Sequence, residues 1–155
     1  MGIEIERKFL VDHARWDATP KPPGNLYKQG YVLHEANRTV RVRITGDAAY
    51  LTFKGATQGI SRSEYEYQIP VNDGVDLLNS FTTSVVEKTR YIINHQGKRW
   101  EVDVFDGDNA GLIMAEIELQ SEDEMFERPD WILREVSEDS RYYNSNLSVH
   151  PFKTW

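Results

Sequence analysis

Charged side chains recur two positions apart along most of the extended segments of this 155-residue chain, and this alternation strongly constrains the fold. Successive side chains of a β-strand point to opposite faces, so residues two apart share a face. The segment 38–45, RTVRVRIT, shows the pattern clearly, because Arg41 and Arg43 share one face and the alternate positions are Val or Ile. The sequence therefore predicts strands with one apolar face and one charged face.

Eight segments carry this alternation or are rich in aromatic and β-branched residues, which favour strands. Gly46-Asp47 and Gln96-Gly97 are typical of the tight turns that join antiparallel neighbours. The predicted strands are residues 3–10, 27–35, 38–45, 50–54, 61–70, 85–94, 98–105 and 112–120.

Helices are expected to be few and short. One is predicted over residues 73–81 with Asp73 as its cap, a second is predicted to begin at residues 121–124, and a third covers residues 139–147. The length suits a single domain, over residues 1–155. The expected fold class is α+β, mainly antiparallel β, with a few short peripheral helices.

The charges that share a face come mostly in pairs of the same sign. The acidic pairs are Glu4/Glu6, Glu64/Glu66, Glu101/Asp103 and Glu116/Glu118, and the basic pairs are Arg41/Arg43 and Lys88/Arg90. A solvated sheet face is one interpretation, because antiparallel sheets commonly expose one side. Like charges repel at neighbouring positions, however, and eight strands tend to curl or close. The second interpretation is therefore a closed barrel whose charges line its interior.

A charged lining of this kind would need water and a highly charged ligand, because unpaired buried charge costs several kcal/mol per ion. Lysine and arginine bind phosphate oxygens, whereas paired carboxylates bind a hard cation such as Mg²⁺ or Mn²⁺. The cation can bridge the carboxylates and the phosphates and assist phosphoryl transfer. The chain contains no cysteine, so thiolate metal sites are excluded. On this interpretation, Arg7 and Glu87 face the exterior, and Trp100 and Trp131 are exterior packing aromatics.

Composition limits the partners. The net charge of −7 and the pI of about 5.1 disfavour nonspecific nucleic-acid binding, which needs a basic face. No apolar run approaches the roughly 18 residues that cross a membrane, and the first residues lack the pattern of a signal peptide. We therefore expect a cytoplasmic protein without nucleic-acid or membrane partners. The apolar outer strand faces need cover, which favours a homodimer.

The segment Glu4-x-Glu6-x-Lys8 resembles the signature of the CYTH superfamily, whose members are also called triphosphate tunnel metalloenzymes. Further segments are similar to the family's motifs and follow in the same order: Arg41-x-Arg43, Lys54 in LTFKG, Arg62 before Glu64-x-Glu66, Glu87-Lys88-Thr89-Arg90-Tyr91, Glu101-x-Asp103-x-Phe105 and Glu116-x-Glu118. The resemblance covers residues 1–120 well. It extends less specifically to residues 134–137 and 141–144.

The resemblance implies an eight-stranded antiparallel barrel that forms a tunnel, with a divalent metal as cofactor. By this resemblance the phosphate-binding residues are Lys8, Arg41, Arg43, Lys54, Lys88 and Arg90, with Arg62 in support. The residues that hold metal or position water are Glu4, Glu6, Glu64, Glu66, Asp103, Glu116 and Glu118, with Glu101 in support. We expect direct catalytic roles for Glu4, Glu6, Lys8 and Lys88.

Family members cleave or rearrange triphosphates, and this chain looks most like the compact bacterial members, many of which prefer inorganic tripolyphosphate. The leading hypothesis is metal-dependent hydrolysis of tripolyphosphate to pyrophosphate and phosphate. A nucleotide-acting relative is the alternative: a class IV-type adenylyl cyclase, or a nucleoside or thiamine triphosphatase. A third hypothesis is a noncatalytic polyphosphate-binding module. The four acidic pairs argue against the third hypothesis, because they would repel a polyanion that arrives without metal.

Overall fold

The computed structural model describes residues 2–155. The nine strands are β1 (Ile3–Val11), β2 (Asn25–Glu35), β3 (Arg38–Thr45), β4 (Ala48–Gly55), β5 (Ser61–Ile69), β6 (Val85–His95), β7 (Lys98–Phe105), β8 (Ile113–Glu118) and β9 (Ile132–Glu135). The three α-helices are α1 (His13–Asp17), α2 (Val71–Phe81) and α3 (Asn144–Val149). Short 3₁₀ turns cover Gly107–Asn109, Ser140–Tyr142 and Phe152–Thr154.

The strands form one antiparallel sheet that closes on itself. Its order is β5-β4-β3-β2-β6-β7-β8-β1-β9, and β5 also pairs with β1, so the first eight strands make a ring. All eight predicted strands occur at their predicted places, and their bounds differ by a few residues at most. The expectation of an eight-stranded closed barrel is therefore confirmed, and β9 is an addition to it.

Strand β1 closes the ring and also carries the added strand. One of its edges pairs with β8 through Glu6–Leu10. The other edge is shared, because Ile3–Ile5 pairs with β5 and Phe9–Val11 pairs with β9. The short β9 thus covers the part of the β1 edge that β5 leaves free, which suits the rule that buried backbone groups need partners.

The larger hydrophobic cluster lies outside the barrel, on the faces of β1, β7 and β8 that point away from the charged residues. Phe9 and Trp100 are fully buried there, and Trp16 of α1 and Trp131 cover them. The aromatic rings meet edge to face, with centroids 5.3 Å apart for Trp16 and Trp131 and 6.0 Å apart for Trp100 and Trp131. Such contacts add to the stabilisation from buried area. The predicted exterior packing of Trp100 and Trp131 is confirmed.

A second hydrophobic cluster fills one end of the barrel interior. The inward positions of β6, β7 and β8 change there from charged to apolar, at Val86, Phe105 and Met114. Tyr142 and Leu147 from the C-terminal part of the chain pack against them. The charged interior is therefore closed at this end by an apolar plug.

Two of the predicted helices are present, with different limits. Helix α2 begins at Val71, and Asp73 lies in its first turn rather than at the cap, which is Pro70. The helix predicted over 139–147 divides into a 3₁₀ turn and α3, and α1 was not predicted. Helix α2 packs closely on the barrel, because an added Cβ on Gly74 would lie 2.6 Å from the Cβ of Ala49.

The helix predicted to begin at residues 121–124 was wrong, because these residues form turns. Their acids bond locally or to the sheet instead of to a helical backbone. Ser121 Oγ donates to Asp123, the amide of Gln120 donates to Glu124 Oε1 at 2.6 Å, and Lys98 pairs with Glu124. Such local hydrogen bonds compete with helix formation.

Within residues 2–155, every helix is too short or too polar to span a bilayer. On the exterior of β4 and β5, Phe53, Tyr65 and Tyr67 remain exposed. The homodimer stays a prediction.

Candidate active site

The charged faces of the strands enclose a cavity inside the barrel. Its volume is about 160 Å³, which is room for several water molecules. Seven basic residues line it: Lys8, Arg41, Arg43, Lys54, Arg62, Lys88 and Arg90. Seven acidic residues line it as well: Glu4, Glu6, Glu64, Glu66, Glu101, Glu116 and Glu118. The structure thus gathers every predicted site residue around one cavity, except Asp103.

Glu4 is the centre of one group of ion pairs. Its carboxylate accepts hydrogen bonds from Lys54 Nζ at 3.1 and 3.2 Å and from Arg62 Nε at 3.1 Å. Burial alone would raise the pKa of Glu4, but the charges of Lys54 and Arg62 outweigh it and lower the pKa to about 2. Glu4 is therefore ionised at neutral pH, and its charge is balanced by two neighbouring cations.

Other carboxylates in the lining face each other. Glu6 lies directly opposite Glu118 on the neighbouring strand, and Glu101 lies opposite Glu116. Like charges at such positions destabilise a sheet. Burial and the neighbouring Glu116 carboxylate raise the pKa of Glu6 to about 8. The Glu6 carboxyl thus retains a proton at neutral pH when no metal is bound.

These carboxylates offer the oxygen ligands that Mg²⁺ and Mn²⁺ prefer. A divalent cation beside Glu6 and Glu116 would neutralise the repulsion that otherwise holds a proton there. Within residues 2–155, no three acidic or histidine side chains are already arranged as a metal site. The carboxylates instead contact cations. Lys8 Nζ, for example, lies 3.2 Å from Glu6 and 3.0 Å from Glu116. The donor chemistry fits a hard metal, and binding would require these ion pairs to rearrange.

Arg41 and Arg43 are less well balanced, because Arg41 Nη2 lies 3.5 Å from one Glu66 oxygen and the contacts of Arg43 are uncharged. Arg43 Nε donates to Gln29 Oε1 at 2.9 Å, and its guanidinium lies 4.9 Å from the centre of the Tyr27 ring. Burial and the nearby charges of Arg41 and Arg90 lower the pKa of Arg43, although a guanidinium keeps its proton in proteins. In the described part of the chain, Arg41 Nε is buried without a hydrogen-bond partner. A bound anion would relieve both unfavourable features.

Asp103 lies beneath the lining rather than in it. It accepts hydrogen bonds from Arg90 Nε at 2.7 Å, from Arg90 Nη2 at 2.9 Å and from Lys88 Nζ at 2.7 Å. Burial would raise the pKa of Asp103, but Arg90 and Lys88 lower it to about 2. The carboxylate predicted as a metal ligand thus has its oxygens directed at two cations. Its contacts hold the side chains of Lys88 and Arg90, which line the basic side of the cavity.

Several uncharged residues of the lining are absent from the predicted site. They are Tyr31, Thr39, Tyr143, Asn144 and Ser145. The ring of Tyr143 lies 5.7 Å from Lys8 Nζ and 5.9 Å from the Arg62 guanidinium. The less specific family resemblance of residues 141–144 points to Tyr143 and Asn144, and Tyr31 also matches a family position, although core packing is the default interpretation for it. The predicted exterior position of Arg7 is confirmed, because its guanidinium pairs with Glu135 at 2.5 Å outside the barrel.

Comparisons with known proteins agree with this architecture. The CYTH domain family model matches residues 2–150. An inorganic triphosphatase of Acetivibrio thermocellus is 48% identical over 156 residues, covering 100% of this chain and 99% of that protein. An inorganic triphosphatase of Nitrosomonas europaea is 38% identical over 94% of this chain and 97% of that protein. The crystal structure of the inorganic triphosphatase NE1496 superposes with a TM-score of 0.66 at 35% identity, covering 94% of each chain.

The pKa values of Glu6 and Glu4 predict that their contributions to the free energy of unfolding of metal-free protein depend differently on pH. Because its pKa is raised on folding, Glu6 contributes stability that is full below about pH 4.5 and is lost as the pH rises through about 8. The unfolding free energy of Glu6→Gln, relative to the unsubstituted protein, should therefore increase between pH 5 and 9. Urea titrations in chelator at several pH values would measure it.

Glu4→Gln is the matched control for this prediction. The lowered pKa of Glu4 means that its stabilisation is already complete above about pH 4.5. Glu4→Gln should therefore lower the unfolding free energy by the same amount across pH 5 to 9. Parallel curves for Glu6→Gln and the unsubstituted protein would contradict the assignment of Glu6.

Proposed function

Because the chain belongs to the CYTH domain family, we propose that it hydrolyses inorganic tripolyphosphate to pyrophosphate and phosphate, with Mg²⁺ or Mn²⁺, inside its barrel. Two relatives that match this chain over at least 94% of its length are inorganic triphosphatases, which supports a phosphoanhydride hydrolase. The observation that carries the proposal is the cavity with seven basic and seven acidic side chains. A polyphosphate with its metal needs both kinds of partner.

The basic residues bind the phosphate groups in this proposal. Within residues 2–155, Arg41 Nε is a buried donor without a hydrogen-bond partner, and the Arg43 guanidinium is buried near the charges of Arg41 and Arg90. Both side chains are therefore suited to bind phosphate oxygens. Lys54, Lys88 and Arg90 lie around the same space, with Lys8 and Arg62 beside the carboxylates. Their positive charges also stabilise the negative charge that develops on the leaving pyrophosphate.

The metal ligands in this proposal come from the acidic lining, namely Glu4, Glu6, Glu64, Glu66, Glu116 and Glu118. A divalent cation bound by such residues polarises phosphoryl oxygens and lowers the pKa of bound water. We assign Asp103 a different role, because its oxygens already bind Lys88 and Arg90. It holds these two cations toward the cavity.

The reaction itself requires an oriented water molecule. The water oxygen attacks a terminal phosphorus, the bond from that phosphorus to the bridging oxygen breaks, and the proton of water passes to a carboxylate. Glu4/Glu6 and Glu116/Glu118 are the pairs proposed to orient this water, since they lie together in the lining. Lys8, between Glu6 and Glu116, and Lys88, beside Asp103, are proposed to hold the reacting phosphate.

The character of the lining favours a substrate made of phosphates alone. Tyr31 and Tyr143 are the two aromatic residues that contribute to it, and the other side chains around the cavity are charged or polar. A nucleobase or a thiazolium ring would need an apolar or stacking surface.

The extent of the domain, the assembly and the location are proposals as well. The family match over residues 2–150 supports one domain over residues 1–155. Exposed apolar side chains on the outer strand faces support a homodimer. The composition of the chain is the basis for a cytoplasmic location.

A substrate panel tests the proposed activity. Tripolyphosphate, ATP and thiamine triphosphate would be incubated with Mg²⁺ or Mn²⁺, and phosphate, pyrophosphate and cyclic AMP would be measured. We expect tripolyphosphate to have the highest kcat/KM and excess chelator to abolish turnover. Faster turnover of ATP or thiamine triphosphate would identify a nucleotide-acting or thiamine-acting enzyme instead. Tight binding of tripolyphosphate without turnover would identify a binding module.

Two arginines of strand β3 provide a matched test of the site. Arg43 faces the cavity. Arg38, the first residue of the same strand, is exposed and pairs with Glu35, the last residue of β2. Arg43→Ala should lower kcat/KM for tripolyphosphate by about 100-fold or more, the range found when a donor to developing negative charge is removed. Arg38→Ala should leave kcat/KM within about twofold. Equal effects of the two substitutions would refute the assignment of the cavity.

A further inference from the structure

The C-terminal segment Tyr143–Ser145, which we call the strap, borders the charged cavity at the inner side of the apolar plug. All three residues contribute to the cavity lining, and Asn144 and Ser145 are the first two residues of α3. Leu147 of the same helix is fully buried in the plug. The strap thus lies between a packing element and the phosphate-binding side chains.

Asn144 makes two buried polar contacts across this border. Its Oδ1 accepts one hydrogen bond from Lys88 Nζ at 2.9 Å and one from Gln29 Nε2 at 3.1 Å. Lys88 and Gln29 are both fully buried. Burial lowers the pKa of Lys88 to about 7, opposed by the Asp103 carboxylate 2.7 Å away, and Nζ donates to the amide oxygen of Asn144, which therefore points at Lys88.

The orientation of Gln29 is determined from its other side. Arg43 Nε donates to Gln29 Oε1 at 2.9 Å, and a guanidinium has no acceptor. The Gln29 oxygen therefore points to Arg43, which directs its NH₂ group to Asn144. The contacts form a chain from Arg43 through two amides to Lys88, and each donor meets an acceptor.

These hydrogen bonds fix the direction of the Lys88 ammonium group. An ammonium has three N–H groups, of which one donates to Asp103 Oδ2 at 2.7 Å and a second to Asn144. With two donors held, the third has one remaining direction. A long flexible side chain loses much rotamer freedom in such an arrangement, which is the entropic part of preorganisation.

We propose that the amide pair of Gln29 and Asn144 positions Lys88 and Arg43 for the phosphate groups, which makes the strap part of the substrate-binding apparatus. The inference rests on the proposed function, because it assigns Lys88 and Arg43 to a phosphate substrate. Gln29 and Asn144 are positioning residues that act through the two cations. An apolar side chain would fill the same space beside the plug, so packing alone does not account for two buried amides.

The test is a double-mutant cycle on the affinity for a tripolyphosphate analogue whose bridging oxygens are replaced by methylene groups, measured by calorimetry with Mg²⁺ present, because this analogue is not hydrolysed. Asn144→Ala should raise the Kd by about tenfold, a coupling typical of residues in one hydrogen-bond network. In a Lys88→Ala background the same substitution should change the Kd by less than about twofold, because the cation that Asn144 contacts directly is gone. Equal fold-changes in both backgrounds would show a merely structural role and overturn the proposal.

Asn146→Ala is the matched control, since Asn146 lies on the same helix but bonds to Ser140 and His34 away from the cavity. The Kd of the Asn146→Ala protein should equal that of the unsubstituted protein. If Asn144→Ala does not fold, the near-isosteric Gln29→Met carries the same cycle with Arg43→Ala, and additive effects there overturn the proposal.

The outcomes separate this inference from the proposed function. Additive effects together with metal-dependent hydrolysis by the unsubstituted protein remove the positioning role and leave the activity intact. Tripolyphosphate binding without hydrolysis removes the activity, and the cycle then still decides the positioning role.

Discussion

Charged side chains on the inner face of a closed barrel must find partners, because water reaches them only through the cavity itself. In this chain each inward carboxylate with a lowered pKa is next to a lysine or an arginine, as Glu4 is next to Lys54 and Arg62. Where burial and a neighbouring carboxylate outweigh the nearby cation, a proton is retained, as on Glu6 beside Glu116. The arrangement of the strands places the charges, and the pairing of the charges makes the closed arrangement tolerable.

The pairing is incomplete in a way that points to a ligand. Opposed carboxylates such as Glu6 and Glu118 reduce the stability of the sheet, and within residues 2–155 Arg41 Nε is a buried donor without a partner. Functional sites commonly keep such unfavourable features because the bound ligand removes them. A metal would relieve the acidic side and phosphate oxygens would relieve the basic side. Together the two explain why one cavity contains both kinds of residue.

Much of this could be predicted from the sequence because strand periodicity is a local property. Once residues two apart share a face, the alternation in a segment such as RTVRVRIT assigns Arg41 and Arg43 to one side without knowledge of the other strands. The family resemblance then selected the inward orientation over a solvated face. The predicted helix at residues 121–124 failed because the Glu124 carboxylate accepts hydrogen bonds from the Gln120 amide and from Lys98, which stabilise a turn instead of a helix.

Other features depend on contacts between distant parts of the chain and leave no local pattern. The short β9 exists because β1 has a free edge beyond its pairing with β5, and four residues are too few to show a periodicity. Asp103 shares its face with Glu101, yet register places it beneath Lys88 and Arg90. Asn144 reaches the cavity only because the C-terminal segment folds against the barrel end, 56 residues along the chain from Lys88.

The central claim is that the acidic and basic halves of the lining bind metal and phosphates together. A crystal of the protein soaked with Mn²⁺ and tripolyphosphate would test it most directly, because the anomalous scattering of manganese locates the ion independently of the phosphates. We expect manganese inside the barrel, bonded to at least two of the lining glutamates and to phosphate oxygens, with Arg41 and Arg43 on the phosphates. Manganese found on the exterior alone, or tripolyphosphate seated in the cavity without metal on any of these glutamates, would contradict it.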